Sequence, residues 1–480
     1  MDKKLNKNYI YNLVYQILSL LIPVITLPYI SRIFSANDIG AISYTSSIVT
    51  YFLLIADLGT SLYGQCNIAY NQNNKEKRSA IFCKVFFLRL FLSLTCLAAY
   101  LGYVFLFVKS YKLLSLVQSI ILLCNMFDIS WFLLGMEKLK EIVLCNLIGR
   151  VFYVGILFLT IKSSKDLILY AIFVSVSTLI SFLLEWIYCL RNVCAINFRH
   201  FDFHINFKEI LSLFLPTLAI QVYTVADKTM LGIFTIDKIE NGYYEQTEKI
   251  VRMILLIVSS LSTVVAPRVA KLFSENKYNE ISICIENSFH IVWLFSIPIM
   301  FGLIGISDFF VPVFFGAGYE KIQLLLPIYS LILIPVSVSS VLALQYLIPV
   351  KKQKIYTFAV SASAFFNIFA NLFFIPRFLS VGASITTVVA EYIGAVIMLI
   401  YINSKRLLPI KKYLLHDSYK NWIAGVVMFC VIILIKRELC ISIISMLIII
   451  VLAVLVYFVI LLLLHDNYLS KVLKNHSLFV

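Results

Sequence analysis

Apolar residues along this chain occur in long runs that short polar connectors separate. A helix needs about 20 consecutive apolar residues to cross the hydrocarbon core of a membrane. The runs meet that length, so we predict about 14 transmembrane helices at residues 10–31, 41–62, 84–108, 113–134, 142–161, 167–190, 211–235, 246–269, 287–311, 322–347, 355–375, 382–403, 421–436 and 441–464. The pattern therefore predicts an all-α polytopic membrane protein without a soluble domain.

A weak internal repeat divides the predicted helices into two halves. The segment 40–49 (GAISYTSSIV) aligns with the segment 242–251 (GYYEQTEKIV), which begins 202 residues later. Six spans separate the two copies, so both run in the same direction, as in transporters built from two similar halves. We expect an N-terminal six-helix bundle at 1–205, a C-terminal six-helix bundle at 206–403, and two extra transmembrane helices with a cytoplasmic tail at 404–480.

Composition and charge agree with a membrane protein. The chain has 480 residues, of which 61% are hydrophobic and 14% charged, against about 45–50% apolar and 25% charged residues in soluble domains. The net charge of +15 raises the question of a nucleic-acid partner, but the Lys and Arg are spread over many connectors. If the N-terminus is cytoplasmic, the inside segments carry 24 Lys or Arg and the outside segments carry 11. This asymmetry places both termini in the cytoplasm and argues against nucleic acid as a partner.

Motifs of soluble enzymes and metal sites are missing from the sequence. None of the ten Cys forms a C-x-x-C pair, and the sequence has no P-loop and no G-x-S-x-G motif. His200 and His204 share a connector but lack a third ligand. We therefore expect no metal, no cofactor and no ATP hydrolysis by this chain.

Three basic residues lie in the outer half of predicted helices. Arg32 ends the first helix, while Lys228 and Arg252 lie about two turns inside the seventh and eighth. Each could extend to the interface by snorkelling, but three cations on the hairpins of the two repeat halves together predict a cationic cavity, which would suit an anionic ligand. Asp227 precedes Lys228, and the two side chains point about 100° apart on a helix. At least one of the two should therefore face the protein interior, which leaves Asp227 as a candidate for coupling or gating.

Five charged residues lie in the inner half of the second to sixth helices: Asp57, Arg89, Asp128, Arg150 and Glu185. Charges inside the bilayer are costly, about 2.5–3.5 kcal/mol each at a helix centre. We expect a network that neutralises itself, with pairing of Asp57 and Arg89 as one hypothesis. A gating role is the alternative, since such pairs can break during alternating access.

Glu391 lies near the middle of the predicted helix 382–403, about 13 Å from its start. At that depth a side chain cannot easily reach the interface. A proton- or ion-coupling role and a structural, hydrogen-bonded glutamate are both consistent with this position.

Several motifs resemble a known family. They are the proline-bearing helix that ends in PYISR at 28–32, the run DKTMLG at 227–232, the pair GY at 242–243 and the pair PR at 267–268. In these features the chain resembles the Wzx-type oligosaccharide flippases of the multidrug/oligosaccharidyl-lipid/polysaccharide exporter superfamily. The DKTMLG run is the most specific of them.

The resemblance implies a transporter rather than an enzyme. Such a protein flips undecaprenyl-diphosphate-linked oligosaccharide repeat units across the bacterial cytoplasmic (inner) membrane by alternating access, for capsule, O-antigen or other exopolysaccharide synthesis. The implied partners are the undecaprenyl-diphosphate oligosaccharide and the lipid bilayer, with the polysaccharide polymerase and chain-length machinery as further candidates. Arg32, Lys228 and Arg252 would then be the substrate-binding residues.

Two other functions stay open at this point. A drug/cation antiporter of the same superfamily would need a carboxylate-dominated cavity in the first half. A membrane polysaccharide polymerase or ligase would need a sizeable external catalytic loop, and the longest predicted external connector, 236–245, has about ten residues. The sequence therefore favours the flippase over both.

Overall fold

The computed structural model describes residues 21–193, 207–416 and 418–465. Within these ranges the chain contains no strand. The helices in chain order are α1 (Leu21–Ile33), α2 (Ala36–Asp57), α3 (Thr60–Tyr70), α4 (Lys75–Phe107), α5 (Lys112–Phe127), α6 (Ser130–Gly135), α7 (Leu139–Thr160), α8 (Leu167–Leu190), α9 (Phe207–Phe234), α10 (Ile239–Ser274), α11 (Tyr278–Phe315), α12 (Ile322–Ser330), α13 (Leu333–Ser339), α14 (Gln353–Ser404), α15 (Tyr419–Ile435) and α16 (Ile443–Leu463). A π-helical stretch, Ser340–Leu347, continues α13.

The helices confirm the predicted fold class. Ten helical segments in the described ranges are long and apolar enough to cross a membrane. One of them, α14, covers two predicted spans. Its backbone leaves the helical conformation at Leu379 (φ 55°, ψ −131°), which divides it into two arms. Lys352 Nζ lies 6.0 Å from the centre of the Tyr401 ring, so the two ends of α14 are side by side. Two antiparallel arms agree with the predicted spans, while the exact number of fourteen stays a prediction.

Two helices that the sequence predicts as continuous are broken in the first half. Helix α2 ends at Asp57, and the left-handed residues Leu58 (φ 43°) and Gly59 (φ 76°) separate it from α3. A glycine suits this turn because the left-handed region carries no steric cost for it. The second interruption lies between α5 and α6, where the backbone of Asp128 is extended (φ −69°, ψ 111°). We refer to these two interruptions as the Asp57 break and the Asp128 break.

The starts of α2 and α10 contact each other through two glycines. A Cβ atom on Gly40 would lie 1.6 Å from the carbonyl oxygen of Lys238, and one on Gly242 would lie 1.9 Å from that of Ala36. Ala36 and Lys238 are themselves 202 residues apart. Each glycine therefore lies against the carbonyl four residues before the equivalent glycine of the other copy. The two contacts are related by the same shift of 202 residues, which supports the period of the repeat.

The chain divides into two compact units, Met1–Gly242 and Tyr243–Val480. In the first unit α2 packs against α4, α5 and α9, and α8 packs against α5 and α7. In the second unit α11 packs against α12, α15 and α16. Helix α9 therefore groups with the first unit. The bundle limits predicted from the sequence stay a prediction, because compact units need not end where a sequence repeat ends.

Candidate functional site

The two helix breaks of the first unit meet at a buried arginine. Arg89 lies on α4 with 2% of its side chain exposed, and its guanidinium forms ion pairs with both neighbouring carboxylates. Nη1 lies 3.2 Å from Asp57 Oδ1, and Nη2 lies 2.7 Å from Asp128 Oδ2. The hypothesis that Asp57 and Arg89 pair is therefore confirmed, and Asp128 completes the arrangement. We refer to these three residues as the Arg89 bridge.

Neutral acceptors complete the hydrogen bonding of Arg89. Its Nε donates to the backbone oxygen of Asn125 at 3.1 Å, Nη2 donates to Asn125 Oδ1 at 2.6 Å, and Nη1 donates to Ser61 Oγ at 2.6 Å. All three nitrogens of the guanidinium thus have acceptors. A buried charge is tolerated only when it is paired and hydrogen-bonded in this way.

The helix breaks also supply donors to the carboxylates. Ser61 Oγ donates to Asp57 Oδ1 at 2.6 Å, and both the backbone nitrogen and the hydroxyl of Ser130 donate to Asp128 Oδ1, at 3.0 and 2.6 Å. Both serines lie in the first turn of the helix that follows the break. The free N–H groups and the positive end of a helix dipole favour a carboxylate there, so the backbone itself helps to stabilise the two acids.

Glu185 does not join this network by hydrogen bonds. It lies on α8 with 0% exposure, and among the described residues neither of its carboxylate oxygens has a hydrogen-bond partner. Arg150 lies partly buried on α7. The predicted self-neutralising network of five charges is therefore wrong for Glu185, because the three nitrogens of Arg89 already have other acceptors.

The predicted outer cations have different surroundings. Arg32 is exposed in the last turn of α1, and Lys228 is partly buried on α9. Asp227, next to Lys228, is 2% exposed, so the acid of this pair faces the interior as expected for at least one of the two. The backbone oxygen of Lys228 accepts a hydrogen bond of 2.6 Å from Asn241 Nδ2.

Arg252 has an acidic partner that the sequence analysis missed. Its Nε donates to Glu248 Oε1 at 2.5 Å, one helical turn earlier on α10. Lys249 and Glu245 form a second pair of the same spacing at 2.9 Å. The i, i+4 spacing of Glu and basic residues could have revealed both pairs. Any site that contains Arg252 therefore also contains the Glu248 carboxylate. A shared role of Arg32, Lys228 and Arg252 in substrate binding stays a prediction.

Lys238 is a buried cation that the sequence analysis also missed. Its Nζ donates to the backbone oxygens of Gly232 at 2.7 Å and Thr235 at 2.6 Å, and lies 4.8 Å from the centre of the Tyr44 ring. Burial lowers the pKa of its ammonium group, and Asp237 offsets part of this effect. A lysine just after the last turn of α9 satisfies carbonyls at the negative end of that helix, so its role is to end the helix.

In the second unit, Glu391 lies partly buried on the second arm of α14, close enough to Tyr356 on the first arm to interact with it electrostatically. Its coupling role stays a prediction. Among the residues that the structure describes, no group of three or more His, Cys, Asp or Glu could hold a metal ion. His200 and His204 lie outside the described residues.

A buried chain of neutral polar groups joins the two arms of α14. Asn371 Nδ2 donates to Asn367 Oδ1 at 3.1 Å, Asn367 Nδ2 donates to Thr387 Oγ1 at 3.4 Å, and Thr386 Oγ1 donates to Asn371 Oδ1. The hydroxyls of Thr387 and Tyr244 lie 3.2 Å apart. The sequence analysis considered charges only and so missed this chain, although its Asn-x-x-x-Asn spacing places both amides on one helix face.

Comparison with known proteins adds a family and a fold. The family described as "Polysaccharide biosynthesis protein" matches residues 5–273, more than half of the chain. Two relatives carry the name "Putative O-antigen transporter". The one from Escherichia coli (strain K12) is 21% identical over 412 residues, 84% of this chain and 98% of that protein. The one from Shigella dysenteriae is 26% identical over 342 residues, 70% of this chain and 84% of that protein.

A solved structure shows the same fold. The structure titled "Lipid II flippase MurJ, inward closed conformation" superposes with a TM-score of 0.76 and 19% identity. The match covers 96% of this chain and 99% of that one. The two chains therefore share one architecture over nearly their whole lengths.

Proposed function

This chain belongs to the polysaccharide biosynthesis protein family, and from that membership we infer that it is a transporter that flips a lipid-linked oligosaccharide across a membrane. We propose that the cargo is an undecaprenyl-diphosphate-linked repeat unit and that the membrane is the bacterial cytoplasmic (inner) membrane. The product would serve capsule, O-antigen or other exopolysaccharide synthesis. The names of the two relatives and of the flippase with the same fold support this assignment.

The observation that carries the proposal is the polar start of α10. Four consecutive residues, Glu245, Gln246, Thr247 and Glu248, are buried at the start of a helix of 36 residues. Polar groups are expensive in lipid and mark substrate pathways when they occur inside membrane helices. A sugar headgroup cannot cross hydrocarbon, so it needs a polar passage of this kind, whereas the undecaprenyl chain can stay in the lipid.

The diphosphate needs cations. Arg32, Lys228 and Arg252 are the proposed donors, because a guanidinium presents a planar fork to phosphate oxygens and an ammonium a compact charge. Glu248 contacts the Nε of Arg252 and so orients its guanidinium. Alternating access would expose this site to one side of the membrane at a time without ATP hydrolysis by this chain.

Removal of one of these charges tests the proposal. Arg32→Ala, Lys228→Ala and Arg252→Ala should each weaken diphosphate binding by about 1.5–3 kcal/mol, the worth of a hydrogen bond to a charged group, or about 10- to 150-fold in affinity. Lys228→Arg should retain more activity than Lys228→Ala, because it keeps the charge. The measurement is polymer export in cells that lack the native gene, normalised to the amount of protein in the membrane.

Lys165→Ala is the matched control. Lys165 is exposed in the connector before α8, so its loss should leave export unchanged. Normal export by all three site variants at normal abundance would contradict the cationic site, and these residues would then be interfacial anchors.

The drug/cation antiporter fits the structure less well. Its cargo would need carboxylates in the first half of the chain that do not already pair with a cation. Asp57 and Asp128 instead pair with Arg89, which is 2% exposed. Ser61 Oγ also donates to the Asp57 Oδ1 that faces Arg89, and Ser130 Oγ donates to Asp128 Oδ1. The transporter proposal extends to both termini in the cytoplasm and to the polysaccharide polymerase and chain-length machinery as partners.

A further inference from the structure

Glu185 is a fully buried acid without a hydrogen bond. It has 0% exposure, and within the described part of the chain both of its oxygens lack a partner. An ionised carboxylate in such a place is strongly disfavoured, whereas the protonated acid carries no net charge. The site is therefore built for a carboxyl group that holds a proton.

Three titratable groups interact electrostatically with this acid: Asp128 at the end of α5, Cys145 on α7 and Cys189 on α8 itself. Two further charges act on these neighbours, Glu141 on Cys145 and Lys138 on Cys189. The neutral hydroxyl of Ser130 on α6 also faces Glu185, but it donates its hydrogen bond to Asp128 Oδ1. The charged group that acts directly on Glu185 is therefore another carboxylate, that of Asp128.

Helix α8 is also attached to the Asp128 break through the neighbour of Glu185. Trp186 Nε1 donates a hydrogen bond of 2.9 Å to the backbone oxygen of Phe127, the last residue of α5. This hydrogen bond connects α8, next to Glu185, with the residue that precedes Asp128.

We propose that Glu185 is a proton-binding site that controls the Arg89 bridge. While the carboxyl group is protonated, the charged carboxylates at the bridge are Asp57 and Asp128, both paired with Arg89. Loss of the proton creates a negative charge that acts on Asp128, and the Arg89 guanidinium has no donor to spare for it. Repulsion between Glu185 and Asp128 then weakens the Asp128 arm of the bridge, and the α5–α6 break loosens.

This inference rests on the proposed function, because an ion pair that opens and closes with the proton on Glu185 suits a cycle of alternating access. The proposed function enters only through the cargo that the cycle moves. Protonation of Glu185 and opening of the break are properties of the chain alone, so they can be measured without any substrate.

Infrared difference spectroscopy tests the proton site directly. The full-length protein in lipid nanodiscs is compared at acidic and alkaline pH, and the carbonyl stretch of a protonated carboxylic acid is followed. We expect a band that is lost in Glu185→Gln and retained in Glu76→Gln, a matched control at an exposed position in the first turn of α4. If Glu185→Gln keeps the full set of bands, Glu185 does not bind the proton and the proposal is overturned.

Hydrogen exchange tests the connection to the bridge. After correction for the intrinsic pH dependence of exchange, peptides that cover 57–61 and 127–131 should exchange faster in the wild type as the infrared band disappears. Glu185→Gln should lose this increase, because its side chain never becomes charged. An equal increase in wild type and Glu185→Gln would overturn the proposed control of the bridge.

A second variant keeps the test decisive if Glu185→Gln folds poorly. Asp128→Asn removes the carboxylate that faces Glu185, so the infrared band should disappear at lower pH than in the wild type. An unchanged pH of disappearance would contradict the coupling. Loss of export in the Arg32, Lys228 or Arg252 variants, with the Glu185 band intact, would separate failure of cargo binding from failure of the proton site.

Discussion

At the residue scale, Arg89 shows how one charge can hold two acids inside a membrane protein. The Arg89 bridge has one cation and two carboxylates, so it keeps a net negative charge. Hydroxyls of Ser61 and Ser130 donate to the two acids, and such donors stabilise charge that the arginine alone does not balance. The arrangement is stable only as a complete set, because a buried charge that loses its partner is costly.

A double-mutant cycle tests this completeness. Loss of one member of a buried pair typically costs about 3–5 kcal/mol, so Arg89→Gln should lower the yield of folded protein strongly. Asp57→Asn should lower it less, because the Asp57 side chain is 36% exposed and water compensates part of its charge. The double variant should recover part of the loss, as measured by size-exclusion chromatography of the solubilised protein. Strictly additive losses would show that the two residues do not interact.

The sequence predicted this site in part. It placed charges within the spans and suggested the pair Asp57 and Arg89, because isolated charges are rare in lipid. It did not predict that Glu185 stays outside the network, since the orientation of α8 depends on packing against α5 and α7. It also missed Ser61 and Asn125, the neutral hydrogen-bond partners of Arg89, because hydroxyls and amides in apolar runs carry no strong signal until a charge is seen to contact them.

At the scale of elements, the two helix breaks and the two glycine contacts fix how helices meet. Irregular backbone is tolerated at membrane depth only where protein surrounds it. At the Asp57 break, Gly59 lies against α9, since a Cβ there would be 3.0 Å from Phe214 Cβ. The apolar pattern predicts the helical runs but not these interruptions, because an apolar residue has the same hydropathy at a break as inside a helix.

Glycine substitutions test the contact between the starts of α2 and α10. Gly40→Ala and Gly242→Ala each place a methyl group within 2 Å of a backbone oxygen, and neither backbone can yield without moving a helix. We expect a loss of about 1–3 kcal/mol for each, as for other overpacked sites. Gly102→Ala in α4 is the control, because its Cβ would meet nothing within 4 Å. The measurement is the midpoint of thermal unfolding of the solubilised protein, and an unchanged midpoint in Gly40→Ala would contradict the close contact.

At the scale of the whole molecule, the lipid environment explains why the fold class could be predicted from one sequence. Every backbone polar group in hydrocarbon must be satisfied within its own segment, which leaves helices as the solution for long apolar runs. The 202-residue repeat was also visible, because its glycines recur at the position of closest approach. The reversal at Leu379 lies between two spans that the sequence also predicts as separate, while the full number of fourteen stays a prediction.

Cysteine labelling tests the orientation of the whole chain. The excess of Lys and Arg in alternate connectors, 24 against 11, predicts that the connectors around residues 73 and 405 are cytoplasmic and those around 164 and 236 are external. All four positions are exposed, so Asn73→Cys, Ser164→Cys, Ile236→Cys and Lys405→Cys should all react once the protein is denatured. In intact cells, with the native cysteines removed, a membrane-impermeant maleimide should modify the cysteines at 164 and 236 and spare those at 73 and 405. Modification of position 405 from outside would reverse the orientation and would place the proposed phosphate-binding cations in the cytoplasmic half. In the proposed function the diphosphate cargo enters from the cytoplasm, so that result would turn the three proposed cations from a release site into an entry site.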